Sequence, residues 1–109
     1  MRMLMKVSIP VEAGNAAARS GRLGSTSKGI LDDLKPEAAY FVSNEFGERC
    51  GYVVFDMKET SQIPSIAEPW FLAFNARLTF TPAMNPQDLA AAVPDIKRAV
   101  KTYGKPTKV

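Results

Sequence analysis

Apolar residues along this chain switch between a period of two and a period near 3.6, and the order of those switches constrains the fold more than any motif does. Arg2 to Ile9 reads RMLMKVSI, with Met3, Met5, Val7 and Ile9 on one side and Arg2, Leu4, Lys6 and Ser8 on the other. That alternation belongs to a strand with one face in a core. Pro10 closes the strand because proline has no amide hydrogen for a sheet ladder. From Glu12 to Leu34 the composition turns to Ala, Arg, Ser and Lys, with Leu23, Ile30, Leu31 and Leu34 at helical spacings. Gly14, Gly21 and Gly24 each cost about 1 kcal/mol relative to Ala inside a helix, so this helix is expected to break or kink near Gly21 to Gly24.

Lys35-Pro36 ends the helix, since a residue before proline is pushed out of the helical region. Glu37 to Ser43 carries Tyr40, Phe41 and Val42 as a strand. Asn44 to Glu48 supplies a hairpin turn, and Arg49 to Met57 returns as the antiparallel neighbour. Thr60 or Ser61 is placed to cap a second helix containing Ile63, Ile66, Ala67, Trp70 and Phe71, with Pro64 in its first turn. Pro69 is expected to bend or end it before Trp70. Phe74 to Ala83 alternates again as a fourth strand, which Pro82 terminates. Asn85-Pro86 opens a last helix through Leu89, Ala92, Val93, Ile96 and Val100, which Pro94 is expected to interrupt, and Gly104 to Val109 is expected to fray.

With 109 residues there is room for one domain spanning 1–109. Strand, helix, hairpin, helix, strand predicts an α+β fold of ferredoxin-like βαββαβ layout plus a C-terminal helix. Right-handed crossovers give a four-stranded antiparallel sheet of order 4-1-3-2 with helices on one face. Met3, Met5, Val7, Ile9, Phe41, Val53, Phe55, Leu78 and Phe80 then lie under the helices. The open face displays Leu4, Lys6, Tyr40, Val42, Tyr52, Val54, Asp56, Arg77 and Thr79, with Arg2 near Asp56 and Lys6 near Tyr52. A slip of one residue would reverse every facing. That mixed face is too apolar for plain solvent and too charged for a dry core, which points to a homodimer formed through it, with a small polar-lined cavity between the subunits.

Candidate binding residues come from that face. Tyr40 and Tyr52 offer hydroxyls on apolar bodies, Lys6 and Arg77 offer cations, and Arg77 suits a carboxylate or phosphate. The simpler readings are interface tyrosines, an interface salt bridge for Arg77, and a cross-strand ion pair of Asp56 with Arg2 or Lys6. Trp70 reads as core or as the mouth of a pocket, Asn75 as an orienting amide, and Glu68 or Asp56 as a base if desolvated.

The excluded chemistry is firmer. The chain has no histidine, so no histidine triad, histidine haem ligand or two-histidine metal face is available. Cys50 is the one cysteine; it can form no intramolecular disulfide and no thiolate zinc site, and a lone cysteine suits a reducing cytoplasm. Gly21 and Gly24 follow helical sequence rather than a strand, so they make no nucleotide-binding loop, and neither cofactor nor metal is expected. A net charge of +3 reflects Lys97, Arg98, Lys101, Lys105 and Lys108 near the C-terminus. These read as a solvated helix end complementing its dipole, not as a nucleic-acid site. No apolar run approaches the roughly 20 residues of a membrane span, and Met1 to Pro10 lacks the pattern of a signal peptide.

KPEAAYF at Lys35 to Phe41, QIPSIAEPWF at Gln62 to Phe71 and NARLTFTPAM at Asn75 to Met84 resemble a family of short bacterial proteins of unknown function related to the dimeric α/β-barrel superfamily. The resemblance runs from the first strand to Asp88-Leu89, while the basic segment after Asp95 extends beyond it. It implies a ferredoxin-like fold and a dimer. The superfamily includes cofactor-independent monooxygenases, lactone isomerases, haem-degrading enzymes and ligand-sensing modules, so it does not fix an activity. Three expectations follow. The first is a homodimer binding a small anionic or aromatic metabolite beside Lys6, Tyr40, Tyr52 and Arg77. The second is a cofactor-free oxygenase or isomerase using Trp70, Asn75 and a tyrosine to orient substrate and Glu68 or Asp56 as base. The third is a structural or regulatory partner domain.

Overall fold

The computed structural model describes residues 1–106; Lys108, counted above with the basic end, lies outside them. The elements are β1 (Arg2–Ile9), α1 (Val11–Arg19), α2 (Leu23–Leu34), β2 (Ala38–Ser43), β3 (Arg49–Asp56), α3 (Ile63–Phe74), β4 (Arg77–Pro82) and α4 (Pro86–Tyr103), with a 3-10 turn at Thr60–Gln62. The helical stretch after β1 is two helices, separated at Ser20 to Arg22, where Gly21 sits at φ +74°. Such a φ suits glycine, which carries no Cβ to clash.

The strands form one antiparallel sheet of order β2-β3-β1-β4, the expected 4-1-3-2 read from the other edge and consistent with a ferredoxin-like layout. Its register pairs Met3 with Phe55, Met5 with Val53 and Phe80, and Val7 with Gly51 and Leu78. The period of two in β1 therefore sets the core. Met3, Met5, Val7 and Ile9 are buried with Val53 and Phe55 beneath Ala17 of α1 and Trp70 and Phe74 of α3. The opposite set, Leu4, Lys6, Tyr52 and Val54, is only half-buried, and Tyr40 and Val42 are exposed.

Two expectations about proline are corrected. α3 continues through Pro69 to Phe74, and α4 continues through Pro94 to Tyr103. An interior proline costs about 3 kcal/mol. In α3 the face carrying Ala67, Trp70 and Phe74 is buried, and two large aromatics at about 1.5–3 kcal/mol or more each outweigh that cost. Phe74 consequently belongs to α3 rather than to the fourth strand, which begins at Arg77. α4 has no such compensation in its own chain, because none of its residues is buried. Helix entry after β3 also differs: Glu59 and Gln62 form a reciprocal capping box on the 3-10 turn, where Thr60 or Ser61 was the expected cap. Among the described residues, no helix is long and apolar enough to cross a membrane.

Candidate functional site

Register places Lys6, Tyr40, Tyr52, Asp56 and Arg77 on the open sheet face, and Lys6 does stand opposite Tyr52 and Arg2 opposite Asp56. The ion pairs are nevertheless not the cross-strand ones. Arg2 turns to Glu37 at 2.9 Å and to Asp88 at 3.6 Å, Lys6 to Glu45 at 3.3 Å, and Asp56 to the amino group of Met1 at 2.9 Å. Long side chains reach past the directly opposite residue, so strand register alone does not choose their partners. Lys6 Nζ also stands 5.9 Å from the Tyr52 ring centroid, within cation-π range. Arg77 pairs with Glu48, and Asn44 Nδ2 donates to Glu48 and to Ser8 Oγ, closing the end of the face over Cys50.

These contacts show in the acidities. Arg77, then Asn44, hold the Glu48 carboxyl below the usual range; a backbone amide and Lys6 do so for Glu45, and Arg2 for Glu37. Lys6 is raised by its bond to Glu45. Each cation of the candidate set is thus already answered by a carboxylate of its own chain. Asp56 is lowered by the terminal amine, which makes it a weaker base, the reverse of what proton abstraction near neutral pH needs.

Glu68, Trp70 and Asn75 do not join this face. Trp70 is 2% exposed in the core, stacked obliquely on Phe74 at 6.0 Å between ring centroids. Glu68 is exposed on α3, and Asn75 ends α3 at φ +50° as a left-handed cap, a conformation asparagine tolerates better than most residues.

On the other side of the sheet a cleft of about 690 Å³ opens between α2 and strands β2 and β3, a size typical of small-molecule sites. α2 contributes Leu23 and Leu31, the sheet contributes Phe41 and Val53, and α3 contributes Trp70. The apolar residues of α2, Leu23, Ile30, Leu31 and Leu34, pack against the core but none is fully buried, and Leu23 and Leu31 face the open cleft. Gly51 keeps the floor flat: a Cβ there would sit 3.3 Å from the Phe41 ring.

Arg49 lines the same cleft, at the end where the register brings Ile9 and Ser43 beside it. Its parity with Val53 and Phe55 puts a cation on the core side of the sheet. The guanidinium is half-buried and donates to the neutral Asn15 Oδ1 at 3.1 Å; among the described residues no carboxylate lies within ion-pair distance of it. Gly14 of α1 makes the room, since a Cβ there would come within 2.5 Å of Arg49 Nη1. The other charges of the cleft, Lys28 and Asp32, satisfy each other at 2.7 Å. Such an arrangement offers an apolar slot with one uncompensated cation. Reasoning from sequence missed Arg49, although β3's alternation carried the signal: a charged residue at a core-facing position. Among the described residues no three His, Cys, Asp or Glu side chains gather as a metal site requires.

No protein-family model and no curated protein matches the chain. Among solved structures, the chain is similar to a crystal structure of a formyltetrahydrofolate deformylase from Pseudomonas putida KT2440, at 13% identity and a TM-score of 0.48. That match covers 94% of this chain and 39% of the deformylase chain.

Proposed function

We propose that this chain is a homodimeric small-molecule-binding protein that takes an amphipathic monoanion, an aromatic or aliphatic carboxylate, into the cleft between α2 and the sheet. The observation that carries the reading is Arg49. Arg49 is half-buried, bonds only the neutral Asn15, and has no carboxylate within ion-pair distance among the described residues, while the cleft's other charges, Lys28 and Asp32, pair with each other, so its guanidinium is left to receive an anion. Leu23, Leu31 and Phe41 would hold the apolar body and Arg49 the carboxylate, through charge-assisted hydrogen bonds. The open sheet face, with Tyr40, Val42, Leu4 and Val54 beside charges that are already paired, serves the subunit contact in this reading. Lys6, Tyr52, Asp56 and Arg77 then belong to the interface rather than to the ligand.

Trp70 lines the cleft and is the chain's one tryptophan, so its fluorescence reports occupancy directly. Titrating 4-phenylbutyrate against its neutral analogue 4-phenylbutanol is expected to show the carboxylate binding about tenfold or more tighter, the worth of a hydrogen bond to a charged group. Arg49→Gln should abolish that preference while leaving the melting temperature close to wild type. Equal affinity for acid and alcohol, or a preference that survives Arg49→Gln, would overturn the assignment.

A further inference from the structure

α4 is an amphipathic helix whose apolar side has nothing to lie on among the described residues of its own chain. Leu89, Val93, Ile96, Val100 and Tyr103 follow one another at alternating steps of four and three, the spacing of a packing seam, yet they are 38–85% exposed. The helix stands away from the body. The radius of gyration is 18.8 Å and the longest dimension 64 Å against 33 and 22 Å for the others, whereas a compact chain of this length would have a radius near 13 Å. Isolated helices of this length are marginal in water, and Pro94 inside it removes about 3 kcal/mol more. Its N-terminus is well made, with an Asn85/Asp88 capping box, but a cap is worth about 1 kcal/mol and cannot hold the rest. Something must cover the seam.

We propose that a second copy of this chain covers it, each α4 reaching past its own body as an arm and laying its seam along the copy seated on the open sheet face. The proposal rests on the dimer reading above and adds the element that completes the interface. Three observations choose this occupant. Arg2 lies on the open-face side of β1 and its guanidinium reaches both Glu37 and Asp88. The root of α4 is therefore tied to the face that needs a partner, and whatever covers that face meets the arm.

Area points the same way. Four strands about 4.8 Å apart and six to eight residues long present roughly 400 Å², half of the roughly 800 Å² per partner of a standard interface. An 18-residue helix about 27 Å long and 10 Å wide supplies much of the remainder. Charge is the third. The last turns of α4 carry Lys97 and Lys101, beside Arg98, which pairs with Asp95 of the same helix, whereas Glu37, Glu45 and Asp56 at the rim of the open face remain more than half exposed despite their intrachain cations. The basic arm of one copy meets the acidic rim of the other.

Sedimentation equilibrium on the full chain tests this with two variants, Ile96→Glu/Val100→Glu on the arm and Val54→Glu on the sheet face. Wild type is expected to be a dimer, and the arm variant to dissociate at least about 100-fold more readily, since each of the two arms loses two aliphatic side chains from the interface. Far-ultraviolet circular dichroism should lose helix while Trp70 fluorescence stays native. An arm variant that dimerises like wild type, beside a Val54→Glu chain that is monomeric, would overturn the arm while leaving the dimer reading standing. A monomeric wild type, including one with α4 folded back on its own body, would overturn both. Should the variants fail to fold, a mixture of isotope-labelled and unlabelled wild-type copies replaces them. Contacts between the seam methyls of α4 and the other copy are expected in isotope-filtered spectra, and their absence overturns the arm.

Discussion

Replacing Trp70 by alanine should cost about 3–5 kcal/mol of folding stability, the range for removing a buried aromatic, and leave the chain close to its unfolding threshold at ambient temperature. The side chain is 2% exposed and is the largest group in the core, wedged from α3 against Phe74 and over β1 and β3. Its indole nitrogen is buried with no acceptor among the described residues, an unmade hydrogen bond worth about 1–3 kcal/mol. Trp70→Phe removes that unsatisfied donor along with part of the ring, so it should cost clearly less than the alanine variant. Leu72, two positions along the same helix, is 81% exposed, and Leu72→Ala should change stability by less than about 0.5 kcal/mol. Urea denaturation of the three variants checks the ordering; a Leu72→Ala loss as large as that of Trp70→Ala would mean that α3 presents a different face to the core.

Gly14→Ala should separate binding from folding. A methyl group at this position meets Arg49 Nη1 at 2.5 Å and the Ile9 side chain at 3.3 Å. The nearer contact is the far end of a flexible side chain, so the guanidinium can swing away at little cost to the fold, and alanine favours a helix over glycine by about 1 kcal/mol. Stability is therefore expected to hold or rise slightly. Arg49, pushed off Asn15 and out of its place in the cleft, should lose its hold on a carboxylate, with affinity for 4-phenylbutyrate falling at least tenfold and affinity for 4-phenylbutanol unchanged. Unchanged carboxylate binding in a folded Gly14→Ala chain would show that the position of Arg49 is not what recognises the anion.

The sheet was legible in the sequence because its information is local and redundant. Met3, Met5, Val7 and Ile9 fix which side of β1 is buried, and the same parity in Val53, Phe55, Leu78 and Phe80 leaves one register that satisfies all of them. Helix ends at proline were less legible, since Pro69 announces a break that the burial of Trp70 and Phe74 overrides. Ion pairs were illegible for a different reason: Arg2 and Lys6 can reach several carboxylates, and the turn at Asn44 to Glu48 and the root of α4 decide which. The cleft depends on a tertiary distance, that between α2 and the edge of the sheet, which no periodicity encodes. Yet Arg49 at a core-facing position, with Gly14 and Gly51 making space, was visible as a departure from pattern, and such departures collect at functional sites.

Chemical-shift mapping of the nitrogen-15-labelled chain titrated with 4-phenylbutyrate decides whether the anion enters the cleft, because it reports the cleft and the open face in one spectrum. Perturbations are expected at Leu23, Leu31, Gly51, the Arg49 side chain and the Trp70 indole, with Lys6, Tyr52 and Arg77 silent. Perturbations confined to Lys6, Tyr52 and Arg77, or none at saturating ligand, would contradict binding in the cleft.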